Sequence, residues 1–550
     1  MTRRSFAALL GTVSILILGT SMRVSLKGRM GPHVIELPKF VDALPIPPRL
    51  ILSGKNREAT LRLSAFPAKL HRDLPAQIQW GYDGTTPGPT IEVERNRGVR
   101  IHWKNELPKT HIFPEPKGLG MGGMDMPGMP MKMPDVRAIT HLHGAVVSEP
   151  DPMNRAKNND GWPDAWNVPG ESQLAEYPNL QPAMTLWYHD HAMAATGRNV
   201  AAGLLGTYVI HDEYERSLNL PSGANDIPLM LISKGVHDDG SLYYTDDISA
   251  EFWGNVPSVN GKLWPYLDVE PRKYRFRVIN ASNARAYALN LVDAADGTPG
   301  PAFAQIGSDG GFLAAPVFLN DPTDPTSPRL TLSPAERADL VIDFSKFAGK
   351  TFTLANHSHT ADDEEFLPEI MQFRVGKTLR KPDTSSLPKV MRAIPRLDPQ
   401  AATETRRVVF DRVKHADGSV MLMMNGKGWT DPVEEKPKLG ATEIWELTNT
   451  LIDVHPFHIH QVQFQVLDRR LFNVAEFLKS GALVYSAEPV PPAPNERGWK
   501  DTIKLSAQMV TRIILRFAPF PGFYVYHCHI LEHEDMDMMR PFQIIAPPAP

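Results

Sequence analysis

Tyr526-His527-Cys528-His529-Ile530-Leu531-Glu532-His533, with Met538 just beyond, holds the only cysteine among 550 residues. A thiolate beside imidazoles and a thioether is a soft, mixed nitrogen–sulfur ligand set. It suits a copper centre with two histidines and one cysteine in a trigonal plane and a distant methionine on the axis. The stretch reads as a β-strand, in which successive side chains point to opposite faces. Cys528 then faces one way while His527 and His529 face the other. Sulfur can hold one copper while the imidazoles serve a different metal, with a few covalent bonds as the electron path between them. A lone cysteine is otherwise a small buried hydrophobe. Three histidines within five residues and a methionine ten residues on argue against that.

Working outward, four His-x-His pairs occur: His141/His143, His189/His191, His458/His460 and His527/His529. In strands each pair shares a face. Eight imidazoles on matching faces can hold three metal ions between the first third of the chain and its last part, and neutral imidazole suits copper. His455 has the opposite parity from His458 and His460, which puts it on the Cys528 side. His455, Cys528, His533 and Met538 thus form a mononuclear set, and the eight paired histidines a cluster. A zinc site would need one closed tetrahedral set and leaves most of these histidines without a role. His357 and His359 have no further ligand residue close in sequence and read as loop histidines.

The rest of the chain reads as all-β. Thr60–Phe66, Ala76–Tyr82, Thr90–Glu94 and Val99–Trp103 are short strand-like runs, separated by Gly84, Pro87-Gly88-Pro89 and Gly98. Such punctuation predicts β-sandwiches or barrels, and 51 prolines fit many breaks and few long helices. A length of 550 residues suggests about three domains at roughly 150 residues each. A second sandwich is expected from about Ile227 to Val375, and a third from near Arg406. Residues 378–402, rich in Pro and Lys/Arg, read as an interdomain linker.

Residues 118–134 place six methionines among Gly and Pro with no helix or strand period. Two readings stand: transient capture of cuprous ion by soft thioethers, and an adaptable apolar loop. At the N-terminus, Arg3-Arg4 precedes a modest apolar run from Ala7 to Leu18, the pattern of a twin-arginine export signal. No small-x-small cleavage site stands out near Gly19–Met22, which leaves an uncleaved N-terminal segment as a candidate membrane tether. The location expected is the periplasm, the extracellular space or the cell envelope. Charge is nearly balanced, 58 Lys+Arg against 62 Asp+Glu, so nothing argues for nucleic acid.

The chain resembles the multicopper oxidases, and among them the bacterial spore-coat laccase and bilirubin oxidase type. The resemblance runs from Lys39 onward. It is carried by Lys39-Phe40-Val41-Asp42, Trp80-Gly81-Tyr82, Pro87-Gly88-Pro89-Thr90, His141-Leu142-His143-Gly144, Trp187-Tyr188-His189-Asp190-His191-Ala192, Ile306–Gly311 and His527–Arg540. It implies three cupredoxin-like, plastocyanin-type Greek-key domains, expected at 36–215, 216–377 and 403–550 after a leader at 1–35. It also implies four coppers per chain. Carried over residue by residue, His141 and His458 would hold type 2 copper, and His143, His189, His191, His460, His527 and His529 the type 3 pair. His455, Cys528 and His533 would hold type 1 copper, with Met538 axial. Ala145 replaces a usual glycine, the Ser148–Asp160 stretch is longer than usual, the methionine-rich loop is an insertion, and a cysteine pair frequent in bacillary members is missing.

The implied reaction is one-electron oxidation of a small-molecule reductant, phenolic, aromatic or bilirubin-like, coupled to reduction of O2 to two waters. Asp160 and Glu534 match family acids that supply protons; each also reads as a plain turn or helix-face carboxylate. The alternative reading is a cuprous oxidase that uses residues 118–134 in copper tolerance. A third is copper storage without turnover, against which the intact ligand set argues. A monomer is expected.

Overall fold

The computed structural model describes residues 35–117, 133–324, 326–358, 367–414 and 420–547. The arginine pair, most of the methionine-rich stretch and His359 lie outside them.

Strand propensity and alternation set the local structure. Strand Val99–Asn105 buries Val99, Ile101 and Trp103 and exposes Arg100 and Lys104, the pattern of a sheet with one face on a core. Strand Tyr287–Asp293 alternates in the same way. Asn260 and Gly261 have φ of 48° and 85°. Two consecutive left-handed residues make the tight turn that joins paired strands without splaying them, here Val256–Val259 and Lys262–Leu263.

Six sheets follow one another as three consecutive pairs. The first pair has five and four strands between Arg49 and His211, the second eight and five between Asp226 and Val375, the third five and four between Glu404 and Ile544. Each pair encloses its own core. Leu61, Trp80, Ile91, Ile101 and Tyr208 fill the first, Leu229, Phe276, Leu291, Leu340 and Phe373 the second, and Phe410, Trp445, Phe457, Ile513 and Phe542 the third.

One parallel pairing recurs in all three: Glu58–Leu63 with Arg100–Asn105, Asp226–Leu231 with Arg275–Asn280, and Glu404–Phe410 with Glu443–Asn449. Parallel neighbours cannot be joined by a tight hairpin, so the chain crosses to the facing sheet between them.

Helices are few. The longest among the described residues have 7 residues, Thr196–Ala202 and Val474–Ser480. Residues 378–402 contain no strand, yet they are not a loose tether. Met391 is fully buried with Ile306, Phe312 and Val341, and its N–H donates to the Ala314 carbonyl at 2.9 Å.

The first and third domains meet where helix Thr196–Ala202 packs on helix Leu531–Asp535. The Asp535 carboxylate accepts the N–H of Thr196 at 3.1 Å and of Gly197 at 2.9 Å. Strands near this seam are buried on both faces. Met184–Asp190 has no exposed residue, and Gly522–Cys528 is nearly as enclosed. A strand wrapped on both sides is one whose outer face serves another domain, and that outer face carries histidines here.

Candidate metal centres

Strand His455–Ile459 pairs with Gly522–Cys528 so that Phe457 lies opposite Cys528 and His458 opposite His527. Alternation then assigns the faces. His455, Phe457 and Cys528 point into the third core, while His458 and His527 point to the interdomain seam. The strand does not run through the whole motif. It ends at Cys528 because the N–H of Ile530 turns to the Cys528 sulfur at 3.5 Å and the N–H of Glu534 to the Ile530 carbonyl at 3.0 Å, opening helix Leu531–Asp535. That helix brings His533 back over the sulfur.

On the core side, His455, Cys528 and His533 converge, with one donor atom from each within 4.8 Å of the others. Nδ1 of His455 lies 3.6 Å and Nδ1 of His533 3.8 Å from the sulfur. Met538 is fully buried in the same core, and its carbonyl accepts the Cys528 N–H at 3.0 Å. Burial pushes the Cys528 thiol up, so a thiolate here calls for a cation. Nε2 of His533 points outward to the partly exposed Glu251, at 3.2 Å.

On the seam side, the first domain supplies His141 and His143 from strand Thr140–His143, His189 from Met184–Asp190 and His191 just past it. The third domain supplies His458, His460, His527 and His529. All eight are buried. Rings stack across the seam in two pairs, His141 on His460 at 3.8 Å and His143 on His458 at 3.6 Å. Three groups close within 4.8 Å: His141, His143 and His458; His143, His189 and His529; His191, His460 and His527.

Most of these rings are anchored by one nitrogen and leave the other without a partner, which is how metal-ligating histidines are oriented. His189 Nδ1 meets the Asp190 carbonyl at 2.8 Å, His458 Nδ1 the Asp501 carbonyl at 2.9 Å, and His460 Nδ1 the Asp160 carboxylate at 2.9 Å. His141 Nδ1 meets the Asp160 carbonyl. His143 is held through Nε2 by Asp501 at 3.2 Å and Thr502 at 3.1 Å. Nε2 of His141, His189, His458 and His460 and Nδ1 of His143 are left buried and unpartnered. Nε2 of His191 and of His527 approach to 3.4 Å.

Buried polar atoms without partners are costly, and here they converge. Desolvation, reinforced by the neighbouring imidazoles, pulls His189 down to about 3 and His141, His143, His458, His460 and His529 well below the usual range. These rings are therefore neutral, the form that binds metal. A nitrogen-rich, buried donor set beside a mixed sulfur set fits copper.

The two carboxylates differ. Burial, with Glu149 nearby, pushes Asp160 well up. Burial also acts to raise Glu534, but His527 and His191 overcome it and leave Glu534 at about 2. Glu534 lies 3.0 Å from His527 Nδ1 and 3.5 Å from His191 Nδ1. His357 stands apart from both centres, exposed, with Nε2 against Asn290 at 2.7 Å. Sequence reading missed Asp501, Thr502, Glu251 and Arg337. None carries a motif, and each reaches its partner through tertiary contact.

Comparison with known proteins agrees with this geometry. The multicopper oxidase family models match residues 136–215 and 398–547. A laccase of Bacillus subtilis (strain 168) is 44% identical over 538 residues, covering 93% of this chain and 100% of the relative. A bilirubin oxidase of Albifimbria verrucaria is 33% identical, covering 93% of this chain and 82% of its own length. The McoA multicopper oxidase structure from the hyperthermophile Aquifex aeolicus superposes with a TM-score of 0.73 at 26% identity, covering 92% and 100%.

The fold is thus three cupredoxin-like domains, and the chain belongs to the multicopper oxidases, of the laccase type. It is a copper-dependent oxidoreductase that uses O2 as acceptor.

Proposed function

We propose that this chain oxidises phenolic, aromatic or bilirubin-like reductants one electron at a time at a mononuclear centre and reduces O2 to water at a trinuclear one. In this reading His455, Cys528, His533 and Met538 would hold type 1 copper. His141 and His458 would hold type 2 copper, and His143, His189, His191, His460, His527 and His529 the type 3 pair, four ions in all. When bound, copper supplies one-electron redox chemistry on the sulfur side and the four-electron reduction of O2 on the imidazole side.

The protein does the rest. Cys528 is bonded in sequence to His527 and His529, which keeps the two sides a few bonds apart. Glu251, partly exposed against the outer nitrogen of His533, is placed to receive the proton a phenol loses on oxidation. Asp160 and Glu534 hold protons or charge beside the cluster histidines. Burial of all eight imidazoles keeps bulk water from the oxygen-reducing side.

The observation that carries this reading is the register of His458 opposite His527 and Phe457 opposite Cys528, which splits the ligands onto two faces of one ribbon. The test is copper-loaded protein. Four coppers per chain, a blue absorption band, type 1 and type 2 EPR signals and phenol-dependent O2 uptake are expected. Copper bound without O2 uptake would leave storage as the function.

A second reading, cuprous ion as the reductant, is favoured by a further cluster. Met133, at the end of the methionine-rich stretch, packs with Met193, Met539, Trp162 and Trp429 in one buried group. Export by the twin-arginine route to the periplasm or cell envelope, tethering by an uncleaved N-terminal segment and a monomeric state complete the proposal. Among the described residues no helix is long and apolar enough to cross a membrane.

A further inference from the structure

We propose that Glu532 is a positioning residue for the mononuclear centre: held by Tyr244 and Asn283 of the second domain, it fixes the helix that returns His533 over the Cys528 sulfur. The inference rests on reading His533 as a ligand of that centre.

Helix Leu531–Asp535 has 5 residues and no side chain capping its start. A helix that short does not hold its shape alone, so its placement depends on what it touches. Glu532 and His533 are neighbours on it, and a turn or shift that moves one moves the other. Glu532 is fully buried. Its Oε1 accepts two hydrogen bonds, from the Tyr244 hydroxyl at 2.7 Å and from Nδ2 of Asn283 at 2.8 Å. The backbone carbonyl of Asn283 accepts the N–H of Leu531 at 3.2 Å, and its Nδ2 also donates to the Gly197 carbonyl of the first domain at 2.9 Å. One buried asparagine thus ties this helix to both other domains.

Tyr244 is itself anchored. Its ring is buried in the first core with Phe252, the two centroids 4.9 Å apart. The same segment brings Glu251 to Nε2 of His533 at 3.2 Å. Buried Arg285 holds the segment's far end, donating to the carbonyls of Trp253 at 3.1 Å and Gly254 at 3.0 Å. Residues 244–254 therefore grip two consecutive helix residues, Glu532 on its buried side and His533 on its outer side. The junction leaves no slack. A Cβ on Gly197 would lie 2.5 Å from the Tyr244 hydroxyl oxygen and 3.0 Å from Glu532 Oε1.

The role calls for an acceptor oxygen at this place. Glutamine offers the same acceptor to the same two donors. Leucine leaves the Tyr244 hydroxyl and one Asn283 N–H buried and unpaired, which is costly, and the helix shifts to relieve it. Loss of the partners behind a metal ligand typically costs about 10–100-fold in affinity.

The experiment follows loss of copper from the loaded full chain to a chelator. Blue absorption reports the mononuclear centre and the type 2 EPR signal the cluster, with the melting temperature of the copper-free chain measured alongside. Glu532→Leu is expected to bleach roughly tenfold faster or more, with an altered type 1 EPR hyperfine splitting and the type 2 signal decaying at the wild-type rate. Tyr244→Phe, which removes one of the two donors, should show a smaller rise of the same kind, and Glu532→Gln should bleach at nearly the wild-type rate.

Wild-type bleaching in both Glu532→Leu and Tyr244→Phe overturns the positioning role. So does faster loss of blue and type 2 copper together, in step with a lower melting temperature, since that marks a residue of general stability only. A Glu532→Gln chain as labile as Glu532→Leu overturns the acceptor role. His533→Ala is the reference arm. If its blue absorption is intact, the reading of His533 fails and the inference with it. If the blue absorption is lost there while Glu532→Leu bleaches at the wild-type rate, only the positioning role falls. Should Glu532→Leu fail to fold, Tyr244→Phe decides: a selective rise in bleaching supports the role and a wild-type rate overturns it.

Discussion

The guanidinium of Arg337 closes a two-pronged ion pair on the carboxylate of Asp501, each N–O distance 2.6 Å. Both side chains are about 1% exposed. Arg337 opens strand Arg337–Asp343 in the second domain, which contributes no histidine to either centre. Asp501 precedes strand Thr502–Leu505 in the third and holds His143 by its carboxylate and His458 by its carbonyl. The middle domain thus orients two cluster histidines, one from each outer domain, without touching a metal ion itself.

Replacing Arg337 by Met should leave Asp501 a buried, uncompensated charge. Breaking one side of a buried pair costs about 3–5 kcal/mol, and here the displaced group is the one that aims His143 and His458. The expected outcome is loss of the type 2 EPR signal and a lower copper count with the blue absorption intact. A melting curve measures the destabilisation separately. Arg337→Lys should not rescue, because a point charge cannot replace the planar fork.

Gly144 tests the same clamp sterically. Its φ is +85°, and a Cβ there would lie 2.6 Å from Asp501 Oδ2 and 2.9 Å from Arg337 Nη2. Gly144→Ala combines a left-handed cost of roughly 1–2 kcal/mol with displacement of the pair. Type 2 copper should be lost before type 1, read by EPR during stepwise chelation. Chelation in wild-type order would show that the pair tolerates the shift.

Met538 is buried in the third core and its carbonyl accepts the Cys528 N–H; it is proposed as a ligand of the type 1 centre. Met538→Leu should raise the potential of the blue centre while copper stays bound, since the axial ligand tunes that potential. Redox titration followed by visible absorption measures it. An unchanged or lowered potential would remove Met538 from the ligand set.

Deleting residues 121–131 separates the two substrates. Met133 packs into the buried cluster, so the deletion stops short of it. If cuprous ion is the natural reductant, its turnover should fall severalfold while phenol turnover holds. Equal retention of both would assign the methionines no part in the reaction.

The division of ligands between two centres was legible in the chain, because strand alternation is a local covalent property. Cys528 and its flanking histidines must face apart wherever that strand sits. The odd position of His455 relative to His458 follows in the same way. Past Cys528, where the strand ends, alternation no longer applies, and it is helix Leu531–Asp535 that returns His533 over the sulfur.

Which imidazoles share a centre depends instead on cross-strand register and on the docking of segments 336 positions apart in the chain, as for His191 and His527. The same holds for the acids and bases behind them. Arg337 and Asp501 are 164 residues apart and lie in different domains. Residue type and parity determined which residues are candidate ligands and which way they face. The packing of three domains decided which atoms meet, since burial and partner geometry are properties of the assembled fold.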